Sequence, residues 1–300
     1  DRGRPRDGLR DAAALGDGPA VSVRRADLGE PLAVGRSAEV FAWPDDGTAD
    51  RVVKLFPASY DAGLVAAEVV ASTEAHRLGL TSIACHGQVQ VEDRPGLLLD
   101  RLRGDSLTRL AERNPLTLRS GARTLARTHA RVHEAATTAL PEIRDAVDAA
   151  LDTAPLAFLT EPQRGLARSL VRQLPADDRV LHLDFHTENV FTHDGSHAVI
   201  DWQTALRGRP AADVAMTVLL LSDAELWPGT PLLKRVLVQS VRRIVLSTYL
   251  AEYQRRTGMT RAEVDAWRLP AVVLRMSTLD IASERAGFRA ELTALLGGAR

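Results

Sequence analysis

The residues best suited to chemistry lie between Leu181 and Trp202, in the stretch LHLDFHTENVFTHDGSHAVIDW. Asp184 precedes Asn189 by five residues, and Asp201 ends a short apolar run. An Asp-Gly turn between two such runs predicts a β-hairpin, whose meeting ends place Asn189 beside Asp201. Carboxylate and amide oxygens are ligands that Mg²⁺ prefers. Asp184, in the preceding loop, is a second carboxylate that the metal ion does not require. This layout predicts a phosphoryl-transfer site, where catalysis rests on positioning and on charge neutralisation by a metal ion.

The spacing of these residues resembles that of known kinases. His182-x-Asp184-x-x-x-x-Asn189 is similar to the catalytic loop of protein kinases, and Asp201 takes the place of their D-F-G aspartate. Leu183 replaces the arginine of that loop, D-W-Q replaces D-F-G, and no A-P-E motif follows. The segments HLDFHTEN, VIDW and RPAADVA look much more like the aminoglycoside phosphotransferase and choline kinase-like family. On these motifs the chain is identified as a member of that family.

The resemblance implies a role for each residue of the stretch. Asp184 is expected to be the catalytic base that accepts or orients the proton of an attacking hydroxyl. Asn189 and Asp201 are expected to bind ATP through Mg²⁺. His182 is expected to support the loop, whereas a phosphate contact by His186 stays open. The alternative is that these are ordinary loop-capping residues. In that case the agreement of the four matched positions and Asp201 with the family motif would be a coincidence.

The resemblance also implies the fold, an α+β two-lobed protein-kinase-like fold. A small five-stranded antiparallel N-terminal lobe with one helix is expected to precede a larger, mainly helical C-terminal lobe. Residues 1–20 are expected to form a flexible tail, 21–101 the nucleotide-binding lobe, and 102–300 the catalytic and substrate lobe. Local patterns predict strands at Pro31–Gly35, Glu39–Trp43, Arg51–Phe56, His86–Val91 and Gly96–Asp100, and a helix at Ala62–Leu78.

Lys54 is set apart by composition, because nearly all other basic residues are arginine and the only other lysine is Lys234. Arginine and lysine are not interchangeable, so a lysine kept inside an apolar strand suggests a function. In kinases a lysine at this place contacts the α- and β-phosphates and pairs with a glutamate of the next helix. That helix offers Glu68 and Glu74, which point to different faces. We favour Glu68, whose apolar neighbours suggest an inward face, and expect Glu74 to be solvated.

Two further nucleotide contacts are predicted in the small lobe. The predicted hairpin around Gly35 and Ser37 has the small-residue tip with which kinases cover ATP phosphates. A single glycine is a weak signal, and an ordinary hairpin is the alternative, but the position before Lys54 favours phosphate binding. Leu99 lies in the segment 98–101, which is expected to be the hinge whose backbone pairs with adenine.

The rest of the chain reads as helices. Asp105 is a natural N-cap for the first of them, and Asp213, in the RPAADVA segment, resembles the family's structural aspartate. His129 and His133 have the i, i+4 spacing of metal ligands, but the sequence shows no third ligand beside them, which favours core-facing histidines. Helices are predicted at Pro115–Ala136, Pro141–Leu151, Pro162–Leu174, Pro210–Leu221, Leu232–Tyr253 and Arg261–Glu284, with a short one at Phe288–Leu296.

Composition excludes several classes of protein. The formal net charge is −1, so a nucleic-acid binder that relies on phosphate contacts is not indicated. The single cysteine, Cys85, excludes an internal disulfide framework and fits a reducing compartment. No apolar run reaches the ~20 residues that span a bilayer, and the charged N-terminal segment is unlike a secretory signal. A cytoplasmic enzyme with access to ATP is therefore expected.

The predicted function is transfer of the γ-phosphoryl group of ATP to a hydroxyl of a small molecule, such as an antibiotic, another natural product or a metabolite. A polycationic aminoglycoside is disfavoured as the acceptor, because the segment Arg207–Arg300 holds fourteen basic and nine acidic residues. Local carboxylates or aromatic side chains still offer an acceptor subsite, and the candidates are Asp223, Glu225, Glu252, Trp227, Tyr249, Tyr253 and Trp267. A peptide Ser/Thr kinase of natural-product biosynthesis and a catalytically silent binding module are the alternatives. ATP versus GTP and the oligomeric state stay open.

Overall fold

The computed structural model describes residues 23–35, 37–44, 50–193, 195–223, 232–279 and 282–297. Within these residues a small lobe is built on an antiparallel sheet, and a larger lobe is built mainly from helices. The fold class predicted from the sequence is confirmed. The predicted tail of residues 1–20 lies outside the described residues, as does the turn between the second and third strands.

The small lobe is a five-stranded antiparallel sheet in which the fifth strand lies between the third and the fourth. Apolar side chains of the small lobe form two separate hydrophobic clusters, one around Phe41 and one around Phe56. A two-residue turn with Glu92 in the left-handed region (φ 55°) joins the last two strands, so the last strand begins at Arg94 and not at the predicted Gly96, and Pro95 lies inside it. The strands are β1 Ala33–Val34, β2 Glu39–Ala42, β3 Arg51–Leu55, β4 Cys85–Val91 and β5 Arg94–Asp100.

Helix α1 (Ala62–Arg77) packs against this sheet. The Asp61 side chain accepts a hydrogen bond from the first-turn amide of Gly63 and caps the helix. Val65 and Glu68 are buried as predicted, but Val70 is half exposed. The prediction of a solvated Glu74 is wrong, because its carboxylate is buried, pairs with Arg77 and accepts from the Thr137 hydroxyl of the large lobe.

The Glu74 contacts predict a pH-dependent contribution to stability. The hydrogen bond from Arg77 outweighs the cost of burial and, with Thr137, lowers the pKa of Glu74 from 4.5 to about 2. A depressed folded-state pKa adds stability above pH 4.5 that is lost as the pH falls toward 2. We expect Glu74→Gln to lower the free energy of unfolding by about 1–2 kcal/mol at pH 7, because Arg77 is well exposed and screened. Urea denaturation should show a smaller difference at pH 3, and no change with the exposed Glu161→Gln.

The large lobe contains helices whose bounds mostly lie within a few residues of prediction. Two predictions are wrong. The single helix expected over 261–284 is broken at Trp267, because Pro270 is tolerated in the first turn of a new helix but would clash inside a continuous one. Ser106, not Asp105, caps the first helix. The helices are α2 Leu107–Arg113, α3 Leu118–Val132, α4 Ile143–Ala150, α5 Glu161–Gln173, α6 Pro210–Asp223, α7 Leu232–Thr257, α8 Arg261–Ala266, α9 Arg268–Leu279 and α10 Ala282–Gly297.

Short strands in the large lobe frame the predicted catalytic stretch. Strand β7 (Arg179–Leu181) pairs with β10 (Leu206–Gly208), and β6 (Asp105–Ser106) pairs with the predicted hairpin of β8 (Val190–His193) and β9 (Ser196–Val199). Sequence patterns did not reveal β6, β7 or β10, which are only two or three residues long. None of the described helices combines the length and the apolar character needed to cross a bilayer.

Candidate active site

The β8–β9 hairpin brings Asn189 and Asp201 to the same end of a two-stranded ribbon. Val190 pairs with Val199, and the Ile200 amide donates to the Asn189 carbonyl at 3.0 Å. Asp201 follows at once, with its backbone in the left-handed region (φ 64°). A non-glycine residue in this conformation is strained, and such strain is concentrated at functional sites. Asn189 and Asp201 therefore lie close together, as the sequence predicted.

Asp184 and Asn189 are in direct contact. The Asn189 side-chain amide donates to the Asp184 backbone carbonyl at 2.9 Å and to Asp184 Oδ2 at 3.2 Å. His186 lies on the same side, with Nε2 3.5 Å from Asp184 Oδ2. Because the Asn189 nitrogen is used in this way, its Oδ1 faces away from Asp184, which fits an oxygen ligand for a cation.

The ionisation of Asp184 is set by its neighbours. Burial disfavours its charge, but the hydrogen bond and charge of His186, followed by the charges of His182 and Arg275, hold the pKa of Asp184 below its ordinary value. Burial likewise opposes the charge of His186, whose pKa is raised by Asp184. Asp184 is therefore a carboxylate at neutral pH, and its side chain is about one quarter exposed. It is ionised and accessible, as a proton acceptor must be.

Lys54 joins the two lobes at the site. Its Nζ lies 2.8 Å from Glu68 Oε1 and 2.8 Å from Asp201 Oδ1, a residue 147 positions further along the chain. The lysine side chain is only 12% exposed. Burial alone would lower the pKa of Lys54, but the charges of Asp201 and Glu68 raise it above its ordinary value. The structure thus places Glu68, and not Glu74, against the lysine.

Of the predicted nucleotide contacts of the small lobe, Leu99 lies on β5, whereas Gly35 and Ser37 lie between β1 and β2. The Gly35 amide donates to the Ala38 carbonyl at 2.8 Å and closes the β1–β2 tip, where a Cβ on Gly35 would lie 3.1 Å from that oxygen. Ser37 is half buried beside this tip. Leu99 is paired on both sides within the sheet, and its side chain packs on the cluster around Phe56.

Asp213 anchors the loop that carries Asp184 by accepting hydrogen bonds from the backbone of that loop. Its fully buried carboxylate accepts from the backbone amides of His182 and Leu183, the latter at 2.9 Å. His182 in turn uses Nε2 to reach the Ile200 carbonyl at 2.9 Å, which ties the loop to the strand end before Asp201. Both placements agree with the supporting roles that the family resemblance implies.

The histidine pair of α3 has a third partner that sequence spacing did not reveal. His129 and His133 both direct Nε2 at Asp213 Oδ2, at 3.1 and 3.2 Å. The three ligand atoms lie close enough together to be considered as a metal site. The expectation of core-facing histidines holds, whereas the absence of a third ligand was wrong, because α6 supplies it from 80 residues away.

The acceptor residues considered from the sequence are mostly unavailable. Glu252 is buried and its carboxylate is paired with three arginines, Arg127, Arg255 and Arg256. Of the aromatic candidates, Tyr249, Tyr253 and Trp267 belong to the core, each no more than 2% exposed. Glu225 and Trp227 lie outside the described residues. The side chain of Asp223 also lies outside the described part of the chain, so Glu252 is the acidic candidate that the structure describes, and its carboxylate is already paired.

Comparison with known proteins gives the family. Residues 29–267 match the family model described as the phosphotransferase enzyme family, APH. No curated protein matches the chain at a significant level. Among solved structures, a thermostable mutant of the aminoglycoside phosphotransferase APH(4)-Ia, crystallised with AMP-PNP and hygromycin B, superimposes with a TM-score of 0.61 at 16% identity, covering 90% of this chain and 94% of that chain.

Two other solved structures share the fold. The amicoumacin kinase hAmiN in complex with AMP-PNP, Ca²⁺ and Ami has a TM-score of 0.58 at 12% identity, covering 91% of this chain and 90% of that chain. The type VIII aminoglycoside-3'-phosphotransferase has a TM-score of 0.54 at 18% identity, covering 81% and 90%. At such identities the likeness establishes the fold. The family model extends over most of the chain, and this protein therefore belongs to the phosphotransferase enzyme family.

Proposed function

We propose that this phosphotransferase moves the γ-phosphoryl group of ATP to a hydroxyl of a small molecule. The observation that carries the proposal is the ion-paired bridge at Lys54, which joins Glu68 of α1 to Asp201 of the large lobe with 2.8 Å contacts on each side. This arrangement places a phosphate-binding ammonium beside the metal-binding carboxylate of the opposite lobe. Similar structures that contain AMP-PNP support ATP as the donor. ATP as donor also fits the cytoplasmic location that the sequence suggests.

The residues of the site fit a divalent cation with hard ligands. Asn189 offers Oδ1 and Asp201 offers Oδ2, since Asn189 Nδ2 and Asp201 Oδ1 are engaged by Asp184 and Lys54. One amide oxygen and one carboxylate, completed by water and phosphate oxygens, suit Mg²⁺. When bound, the ion would neutralise phosphate charge, while the protein itself orients the reactants.

We assign the remaining roles by position. Asp184 is the base for the acceptor hydroxyl, because it is the ionised carboxylate of the loop that Lys54 does not bind. Gly35 and Ser37 cover the phosphates, and the backbone near Leu99 meets adenine. In this proposal the division at residue 101 separates the donor lobe, 21–101, from the catalytic and acceptor lobe, 102–300.

The acceptor class follows from the ligands of similar folds and from the charge of the large lobe. Neighbouring folds bind hygromycin B or amicoumacin, so a natural product with a free hydroxyl is the class we favour. Glu252 is neutralised by arginines, and the segment Arg207–Arg300 is mildly basic, with fourteen basic and nine acidic residues. Both observations disfavour a polycationic acceptor. The described residues give no observation that favours a peptide acceptor.

The test is Mg-ATP turnover against a panel of aminoglycosides, macrolides, choline and Ser/Thr peptides, with nucleotide binding measured in parallel. Phosphorylation of a small-molecule hydroxyl establishes the proposal and its acceptor class, whereas phosphorylation only of peptides replaces the acceptor. If the protein binds nucleotide without phosphorylating an acceptor or hydrolysing ATP, the silent binding module is the better description.

Lys54→Arg is expected to weaken ATP affinity by about tenfold or more, although charge is conserved. The guanidinium is planar and larger than the ammonium, so it cannot reproduce two 2.8 Å contacts inside a pocket where the lysine is 12% exposed. Isothermal titration with ATP and Mg²⁺ measures the effect. Lys234→Arg, which changes the only other lysine, is the matched control and should bind like wild type. Equal affinities of the two variants would contradict a phosphate contact at Lys54.

A further inference from the structure

A buried polar network lies beneath the catalytic loop, between α3, α6 and α7. Tyr249 and Tyr253, one turn apart on α7, place their hydroxyl oxygens 2.7 and 2.6 Å from Nδ1 of His129 and His133, one turn apart on α3. The opposite ring nitrogen of each histidine faces Asp213 on α6. All four aromatic residues are buried, and none touches the reacting groups. The network therefore contains two similar units, tyrosine to histidine to carboxylate; His133 Nε2 hydrogen-bonds to Asp213, whereas His129 Nε2 approaches it without hydrogen-bond alignment.

The hydrogen-bond directions in each unit are fixed by the carboxylate. Asp213 accepts amide hydrogens, and its pKa is held well below its ordinary value by His129 and His133 despite burial, so it is ionised and accepts only. Each Nε2 that faces it must carry a hydrogen. Burial lowers the pKa of His129 to about 4, so this ring is neutral and its Nδ1 is a bare lone pair. The Tyr249 hydroxyl must then donate to that lone pair.

The same carboxylate holds the strained part of the catalytic loop. Leu183 has φ 61°, which is costly for a residue with a Cβ, and its amide is one of the two that Asp213 accepts. Phe185, two residues further on, stacks on His129 with ring centroids 3.9 Å apart. The direction of Asp184, which lies between Leu183 and Phe185, therefore depends on where Asp213 and His129 are held.

We propose that Tyr249 and Tyr253 are positioning residues for the catalytic loop: their hydroxyls hold His129 and His133 with Nε2–H directed at Asp213. The proposal rests on the function proposed above, because the loop is assigned to catalysis there. Without the Tyr249 hydroxyl the Nδ1 lone pair of His129 is buried and unpaired, and without the Tyr253 hydroxyl Nδ1 of His133 loses its hydrogen-bond partner, so each ring gains from turning or changing tautomer. Either change removes a donor from Asp213 and releases strain at Leu183.

A metal ion shared by the same three ligand groups is the competing arrangement. The ring centroids of His129 and His133 lie 4.2 Å apart. Two imidazoles that share one zinc ion at ordinary Zn–N distances and tetrahedral angles have centroids about 5 Å apart. Asp213 Oδ2 also accepts the His182 amide, which uses the oxygen that would bind the ion. A direct hydrogen bond from His133 and a 3.1 Å approach of His129 Nε2, which is not aligned for a hydrogen bond, therefore account better for the geometry.

The first measurement is the tautomeric state of the histidines in full-length protein labelled with ¹⁵N-histidine, together with the metal content of the purified protein. The expected spectrum shows His129 and His133 as Nε2–H tautomers, and Tyr249→Phe and Tyr253→Phe each change the signals of the paired histidine. A Nδ1–H tautomer in wild type, or one zinc per chain, overturns the proposal. This measurement needs no substrate, so its result tests the hydrogen-bond directions even if the proposed function is wrong.

The second measurement is turnover, followed with an acceptor or as acceptor-independent ATP hydrolysis. Each Tyr→Phe variant is expected to lose about tenfold in kcat while KM for ATP stays within twofold. Val171→Ala, a buried substitution on α5, is the control: it should lower Tm to a similar degree without changing kcat. Tyr→Phe variants whose kcat falls no more than that of Val171→Ala overturn the positioning role. No turnover by wild type refutes the proposed function instead.

Discussion

Asp184→Asn is expected to reduce turnover by ~10³-fold or more while leaving nucleotide binding nearly unchanged. The amide has the shape of the carboxylate but cannot accept a proton. Asp184 is an ionised side chain whose Oδ2 contacts the Asn189 amide at 3.2 Å, and an amide oxygen can take over that contact. Loss of activity therefore reports proton acceptance and charge, not collapse of the loop. The measurement compares kcat and ATP affinity for the two proteins with the same acceptor.

Asp265→Asn provides the matched control for this substitution. Asp265 is well exposed and pairs only with Arg261 across one turn of α8, so its replacement should leave turnover unchanged. An Asp184→Asn protein that keeps a tenth or more of wild-type turnover would show that the base lies elsewhere. Loss of nucleotide binding together with turnover would instead indicate that Asp184 organises the metal site.

The parts of the site that follow from local pattern were predictable. An Asp-Gly turn between two apolar runs determines that the ends of a hairpin meet, so the proximity of Asn189 and Asp201 requires no knowledge of the rest of the fold. The lysine at position 54 was noticeable because the chain otherwise uses arginine. Its partner Glu68 followed from helix periodicity, since Val65 and Glu68 lie on one face of α1.

The parts that failed depend on contacts between distant segments. Glu74 looked solvated because its sequence neighbours are polar, yet Thr137 of the other lobe accounts for its burial. The histidine pair of α3 showed no third partner, because α6 brings Asp213 to it. Trp267 and Pro270 gave a local signal for the helix break, but the apolar periodicity on both sides concealed it. Periodicity describes which face is buried and carries no information on which element covers it.

Two residues with a strained backbone lie at this site, and buried hydrogen bonds hold the segments that carry them. Leu183 and Asp201 both lie in the left-handed region, one on each side of the β8–β9 hairpin. His182 bridges them, because its amide donates to Asp213 and its Nε2 reaches the carbonyl of Ile200, the residue before Asp201. The loop that carries Asp184 and the segment that carries Asp201 are thus linked, through His182, to the buried carboxylate of Asp213. A substitution of Asp213 should therefore alter the conformation of both segments.

Asp213→Asn is accordingly expected to lower the free energy of unfolding by about 3–5 kcal/mol, the range for removing one partner of a buried charged cluster. The carboxylate accepts from two backbone amides and faces Nε2 of two histidines. An asparagine of the same shape turns an NH₂ group toward at least one of these donors, which leaves buried hydrogens facing each other. Urea denaturation at pH 7.5 measures the loss, and the exposed Asp265→Asn should stay within about 0.5 kcal/mol of wild type.

The same substitution separates local support from general packing. Because Leu183 keeps φ 61° against its conformational preference, loss of the Asp213 bond should open the loop before the lobe unfolds. Hydrogen exchange should therefore accelerate at the amides of His182 and Leu183 far more than at Val147 in the core of α4. Uniform acceleration would mean that Asp213 stabilises the lobe as a whole. An Asn variant within 1 kcal/mol of wild type, with a protected Leu183 amide, would show that the packing of Phe185 on His129 alone suffices to hold the loop.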